Sequence, residues 1–242
     1  MRTIVSCVFL RERNISTDWF VTRFGAHARI ELNALLKRLD ESKDGDIVEM
    51  LVETLGLTYK VKKYYPDGTL ESVTPYVRGQ IHGVVTVYSK DGKVEIMDTF
   101  FGGEPHGLYK YYDEQGRLVE KGNRYRGKPH GLVQYHYYLP ATIVTVREHY
   151  NLGVLSGTST IVVGSRELIR ILYRHNKICE LKCWSPRMRF EFDEEGNMIS
   201  MEISNVGGLQ KMLEISGCVK THPDPRTLWK EFDKLGLVEL QP

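Results

Sequence analysis

Three histidines recur at a fixed step. His82, His106 and His130 lie 24 residues apart, each inside the string Gly-x-x-His-Gly. Imidazole binds metals and moves protons near neutral pH, so an in-register column of it is the first place to look for chemistry. A shared metal ion fails on geometry. If each unit contributes two strands, equivalent residues recur roughly 10 Å apart, at about 4.8 Å per strand. Two ligands of one zinc ion sit about 3 to 4 Å apart, with bonds of about 2.0 to 2.1 Å. The expectation is therefore no metal site, with each His beside a turn glycine and hydrogen-bonded to its backbone.

The tyrosines form a second set. Tyr64, Tyr88 and Tyr112 keep the same step, and Val87, Tyr111 and Tyr135 form the neighbouring column. Adjacent residues on a strand point to opposite faces, so one column should pack inward and the other should be partly exposed. Aromatic stacking across strands stabilises a sheet, and exposed Tyr is enriched at interfaces. Tyr64, Tyr88, Tyr111, Tyr112 and Tyr135 are thus the candidates for partner contact. The basic run Asn123–Lys128 reads as a solvated turn, and Arg166, Arg170 and Arg174 as one solvated side of an element. The sequence has no P-loop, no dinucleotide-binding glycine fingerprint and no Gly-x-Ser-x-Gly elbow. No spacing of His, Cys, Asp and Ser nominates a triad. The reading is of a protein that is not an enzyme, with no catalytic residues, no cofactor-binding residues and no cofactor.

The elements that carry these side chains are written in the remaining columns. The structural glycines and histidines of the repeat are Gly79, His82 and Gly83, then Gly103, His106 and Gly107, then Gly127, His130 and Gly131. Gly68, Gly92 and Gly116 each close an aromatic-led turn. Leu70, Val94 and Leu118, then Val77, Phe101 and Tyr125, then Val84, Leu108 and Leu132 keep the same register. Asp-Gly before an apolar, β-branched run is a hairpin signal, because Gly supplies the positive φ. Each unit reads as strand, turn, strand, turn. One hairpin is marginal in water, so units must stack edge to edge.

The pattern then weakens. Gly153–Gly157 keeps two glycines with Ser in the His slot, and Asn176 occupies a later turn, where Asn tolerates the left-handed region. Phe190–Gly196 resembles the earlier aromatic-led turns. The predicted fold is mainly β: an elongated single antiparallel sheet of stacked hairpins. It spans residues 58–204, with clear repeats over 64–135 and degenerate ones over 136–204. A small α/β N-terminal segment or cap covers 1–57. There Thr3–Leu10 reads as a strand, His27–Asp40 as a helix, and Ile47–Leu55 as a helix with a strand as the rival. A C-terminal cap covers 205–242. Its helix, 225–235, opens on Asp224-Pro225 and carries Leu228, Trp229, Phe232 and Leu235 on one face.

Bulk properties narrow the function. With 33 basic and 31 acidic residues the net charge is only +2, which argues against a dedicated nucleic-acid binder. The four cysteines form no Cys-x-x-Cys pair. Cys179 and Cys183, roughly 13 Å apart if on one strand, cannot bridge each other. Reduced thiols and a cytoplasmic location are expected. The short apolar stretch near Met1 is too brief for a signal peptide, and no run approaches the roughly 20 apolar residues of a spanning helix.

Tyr64 to Leu70, as Tyr-x-x-Asp-Gly-x-Leu, and Phe101 to Gly107, as aromatic-x-Gly-x-x-His-Gly, resemble MORN repeats of the second subtype, with units of about two dozen residues. The resemblance is strong from Tyr64 to Tyr135, weak from Pro140 to Ser204, and absent at the ends. It implies an elongated β-sheet used for protein–protein contact, membrane-proximal scaffolding or self-association. It also implies kinship with repeat proteins of large DNA viruses, which admits a virion role, and with antitoxin-like inhibitors. The partners expected are other proteins, including a second copy, with anionic lipid as the alternative and no specific nucleic acid.

Overall fold

The computed structural model describes residues 5–9, 48–52, 58–184, 187–203, 224–226, 230 and 234. They fall into two compact units, 1–117 and 118–242.

In the first unit, β1 (Val5–Phe9) pairs antiparallel with β2 (Val48–Val52), with Val5 opposite Val52 and Phe9 opposite Val48. The strand reading of the first segment holds here. The helix over Ile47–Leu55 does not, since its centre is β2. A five-residue segment bounded by valines gains a full hydrogen-bond ladder from a partner strand, which outweighs a capping-box pattern. The predicted helix over His27–Asp40 lies outside the described residues. The repeats follow as β3 (Thr58–Tyr64), β4 (Leu70–Val77), the short β5 (Gln80–Ile81), β6 (Gly83–Tyr88), β7 (Val94–Phe101) and β8 (Glu104–Tyr112), in the sheet order β8-β7-β6-β4-β3 with β5 on β4.

The second unit continues with β9 (Leu118–Tyr125), β10 (Lys128–Pro129), β11 (Gly131–Tyr138), β12 (Ile143–Asn151), β13 (Val154–Leu155), β14 (Gly157–Val163), β15 (Arg166–Arg174), β16 (Lys177–Trp184), β17 (Arg187–Phe192) and β18 (Met198–Ile203). Its order is β18-β17-β16-β15-β14-β12-β11-β9, all antiparallel, with β10 on β9 and β13 on β12. The hairpins therefore persist through the stretch where the sequence pattern decays. Arg166, Arg170 and Arg174 lie on β15 and are all exposed, but the bulge opposite Ile161 and Val162 breaks the alternation between Arg166 and Arg170, so the three do not share one side.

Two kinds of turn alternate. The aromatic-led turn is a tight loop closed by a left-handed glycine: Gly68 N donates to Tyr65 O at 2.9 Å, and Tyr65 N to Thr69 O at 2.8 Å. The register slips between Lys63 and Tyr64, as a glycine bulge demands. Asp67 fixes the turn by accepting from Thr69 N and Thr69 Oγ1. The second turn is a two-residue hairpin with both residues at positive φ, as in Arg78 (49°) and Gly79 (77°). Asn176 (66°) fills the glycine slot of the last such turn, after His175 (49°). Second-type turns also tie to the preceding hairpin: Gly103 N donates to Ile81 O, Gly153 N to Pro129 O and Asn176 N to Leu155 O.

The core lies on one face of the second unit. Val133, Val144, Val146, Ile161, Ile171 and Leu181 have no exposed surface, and Tyr173 and Phe190 are nearly as deep. The register explains this. Val146 stands opposite Tyr135 and Ile161, Ile161 opposite Ile169, and Leu181 opposite Ile171 and Phe190. Directly opposed residues share a face, so a period-two alternation on each strand sums to one continuous apolar surface. At the end of the chain Pro225, Arg226, Lys230 and Lys234 are helical. The remaining positions of the predicted helix, with its apolar face, lie outside the described residues.

Candidate functional site

Two surfaces carry side chains that do more than fill a core. The first is exposed. In the first unit Val84, Phe101 and Leu108 are 43%, 65% and 62% exposed, far more than packing residues would be. Their exposure follows from register: Val84 stands opposite Thr99, on the face away from Asp98 and Tyr109. The Phe101 ring lies between two members of the histidine column, 4.7 Å from His82 and 6.0 Å from His106. In the second unit the Tyr125 ring lies 6.1 Å from His130, with the Arg126 guanidinium 5.7 Å from its centroid.

This revises the role assigned to the histidines. His130 Nδ1 does accept a backbone N–H, at a long 3.4 Å, but from Leu152 in the following hairpin rather than from its own turn. The rings of His82, His106 and His130 also lie tilted against the Phe101 and Tyr125 rings. Among the described residues no group of three or more His, Cys, Asp and Glu is arranged to hold a metal ion.

The second surface is buried and charged. Glu148 sits in β12 with no exposed surface. Tyr150 Oη donates to its Oε2 at 2.6 Å. Among the described residues Oε1 has no hydrogen-bond donor, and the cation beside it is Arg226, with Nε at 3.8 Å. Arg226 is held by Asp224 through Nη2 at 2.6 Å and Nε at 3.0 Å, and its guanidinium lies 5.1 Å from the Tyr135 ring centroid. Lys230 Nζ stands 5.7 Å from the Tyr137 ring. The start of the C-terminal helix is thus seated on Tyr135, Tyr137 and Glu148.

The electrostatics follow from this packing. Burial pushes the Glu148 carboxyl up to about 7, against the opposing pull of the Tyr150 hydrogen bond and Arg226. The neighbouring Asp224 carboxyl adds to the rise, as like charges do. Burial also pushes Asp224 upward, but its bonds to the Arg226 side chain and backbone outweigh that and hold it below the usual range. The phenols of Tyr135, Tyr150 and Tyr173 are all raised, first by burial and then by the Glu148 charge beside them.

The remaining predicted contacts are scattered. Tyr64, Tyr88 and Tyr112 are half-buried at strand ends beside the aromatic-led turns. Tyr111, opposite Ile96, borders an open depression of about 540 Å³ lined also by Glu95, Tyr112 and Glu114. Tyr135 faces inward beneath Arg226, so it contacts its own chain. Sequence singled out neither Glu148 nor Arg226, and marked Asp224 only as the residue that opens the C-terminal helix. A signal for Glu148 exists in the alternation Val144, Val146, Glu148, Tyr150, which places a carboxyl in an inward slot. Nothing local marks Asp224 and Arg226 as its partners.

A sheet of stacked hairpins with glycine-closed turns and an outward aromatic column defines a repeat-type binding module. Residues 60–78 and 105–124 match the family model described as the MORN repeat variant. No curated protein matches the chain. MORN repeats are non-enzymatic scaffold modules, and no catalytic motif accompanies them in this sequence.

Proposed function

We propose that the chain is a scaffold that binds another protein through the exposed aromatic and apolar column of its hairpin sheet. The observation that carries this is the repeat-related exposure of Val84, Phe101 and Leu108. Single exposed apolar residues are ordinary, but a contiguous row fixed by the repeat register is what an interface needs. The stacked histidines hold the Phe101 ring in place, which lowers the entropic cost of burying it against a partner.

The test is affinity capture of the tagged chain from its native source, alongside a Phe101→Ser/Leu108→Ser variant. Stoichiometric proteins retained by the parent and lost by the folded variant support the reading and name the partner. Equal capture by both forms removes this face from consideration. Attachment to anionic vesicles that fails at high salt, with no protein captured, favours a lipid-binding role instead.

A further inference from the structure

We propose that the Glu148 and Asp224 carboxyls form a proton-operated latch: one proton held between them seats residues 224–226 on the sheet, and its loss to solvent releases them. The inference concerns the second unit and stands whether or not the exposed column of the first unit binds a partner.

The charge count carries the argument. Two carboxyls and one guanidinium meet where Glu148 has no contact with water. With Glu148 protonated, the cluster is neutral: Asp224 balances Arg226, and the Glu148 hydroxyl can donate toward Asp224. This gives the otherwise undonated Oε1 a partner. With the proton gone, a net negative charge is buried, and two carboxylates face each other across a cation already committed to Asp224. Separating the segment from the sheet lets water solvate both, the cheapest response to an unpaired buried charge.

Among the described residues, the other charged and titratable groups around the pair do not supply a second cation. From β11 comes the Tyr135 phenol, from β12 Tyr150, and from β15 Tyr173, all held protonated. From β9 comes Glu120, opposite Tyr135, which adds negative charge. On the helix itself Lys230 lies over Tyr137. The neutral form of Glu148 is therefore the one that fits, and the midpoint pushed up to about 7 places the switch near neutrality.

The test is hydrogen–deuterium exchange of the full chain, corrected for intrinsic rates, from about pH 4 to about pH 8.5. For one coupled proton, protection of the peptide carrying residues 224–226 should fall by up to about tenfold per pH unit between the ordinary carboxylate value and the midpoint, and level off above it. Protection of β14–β16 should stay constant. Glu148→Gln, which keeps a donor toward Asp224 at every pH, should flatten the profile at its protected level. A flat profile in the parent, or an unchanged fall in Glu148→Gln, overturns the latch. Should that variant fail to fold, carbon NMR of Glu-labelled parent protein decides. Titration of Glu148 near neutrality together with shifts in the 224–226 resonances supports the latch. Titration in the ordinary carboxylate range, or without those shifts, overturns it.

Discussion

The Tyr150 hydroxyl donates to Glu148 Oε2 at 2.6 Å from two positions further along the same strand. That spacing puts both side chains on one face, so the bond is set by the pleat. Tyr150→Phe removes the donor and leaves a buried oxygen unsatisfied. A loss of about 1–3 kcal/mol is expected in urea unfolding, together with a further rise in the Glu148 midpoint. A variant as stable as the parent would show that the carboxyl finds another donor.

Stability should depend on pH with a definite sign. The Glu148 midpoint is higher folded than unfolded, so its contribution is fully present below about 4.5 and is lost as pH rises through about 7. Asp224 is held low, so its contribution is present above 3.8 and lost as pH falls through its depressed folded value. The second unit should be most stable in mild acid. The decline toward alkaline pH should be at most roughly 3 kcal/mol, and denaturant midpoints measured across pH check it. Glu148→Gln should abolish the alkaline decline alone.

Gly107 and Gly127 separate two costs of a side chain. Both have positive φ, 110° and 76°. A Cβ at Gly107 would also meet Thr99 Cβ and Cγ2 at 3.3 Å, whereas at Gly127 it meets nothing within 4 Å. Gly127→Ala should cost about 1 kcal/mol, from backbone strain. Gly107→Val should cost more, about 1–3 kcal/mol of strain with the Thr99 crowding added. Thermal unfolding of both variants gives the order, and the reverse order would contradict the register of β7 and β8.

Buried and exposed apolar residues should respond oppositely to truncation. Ile161 has no exposed surface, and Ile161→Ala should cost about 2–5 kcal/mol. Leu108 is 62% exposed, and Leu108→Ser should stay within about 0.5 kcal/mol of the parent. A large loss at Leu108 would mean that this column packs within the chain or across a self-associated pair, which sedimentation at several concentrations distinguishes.

Cys179 and Cys183 should differ in reactivity. Burial pushes the Cys183 thiol up to about 12, so little thiolate exists and reagents cannot reach it. Cys179 is partly exposed, with Sγ 3.9 Å from Lys177 O. Mass-resolved alkylation of the native chain should modify Cys179 well before Cys183, and denaturant should equalise them.

The sequence by itself determined the hairpins, because turn chemistry is local. A glycine at positive φ and an aspartate that accepts backbone N–H groups specify a reversal whatever surrounds them, as at Asp67-Gly68. The fixed step then sets the register of each hairpin on the last. The last decayed turn was harder to read because Asn176 adopts the left-handed geometry of Gly79, Gly127 and Gly153 without being a glycine. Val48–Val52 was decided by its pairing with Val5–Phe9, contacts 39 to 47 residues apart that no local propensity encodes. Tertiary structure alone decided which face is buried, since both faces carry apolar columns and the register shows only which residues go together. It also decided the pairing of Glu148 with Asp224 and Arg226. The carboxyl in an apolar alternation is visible in the sequence, but its partners lie some 76 residues away, and burial that raises its midpoint exists only once the chain has closed over it.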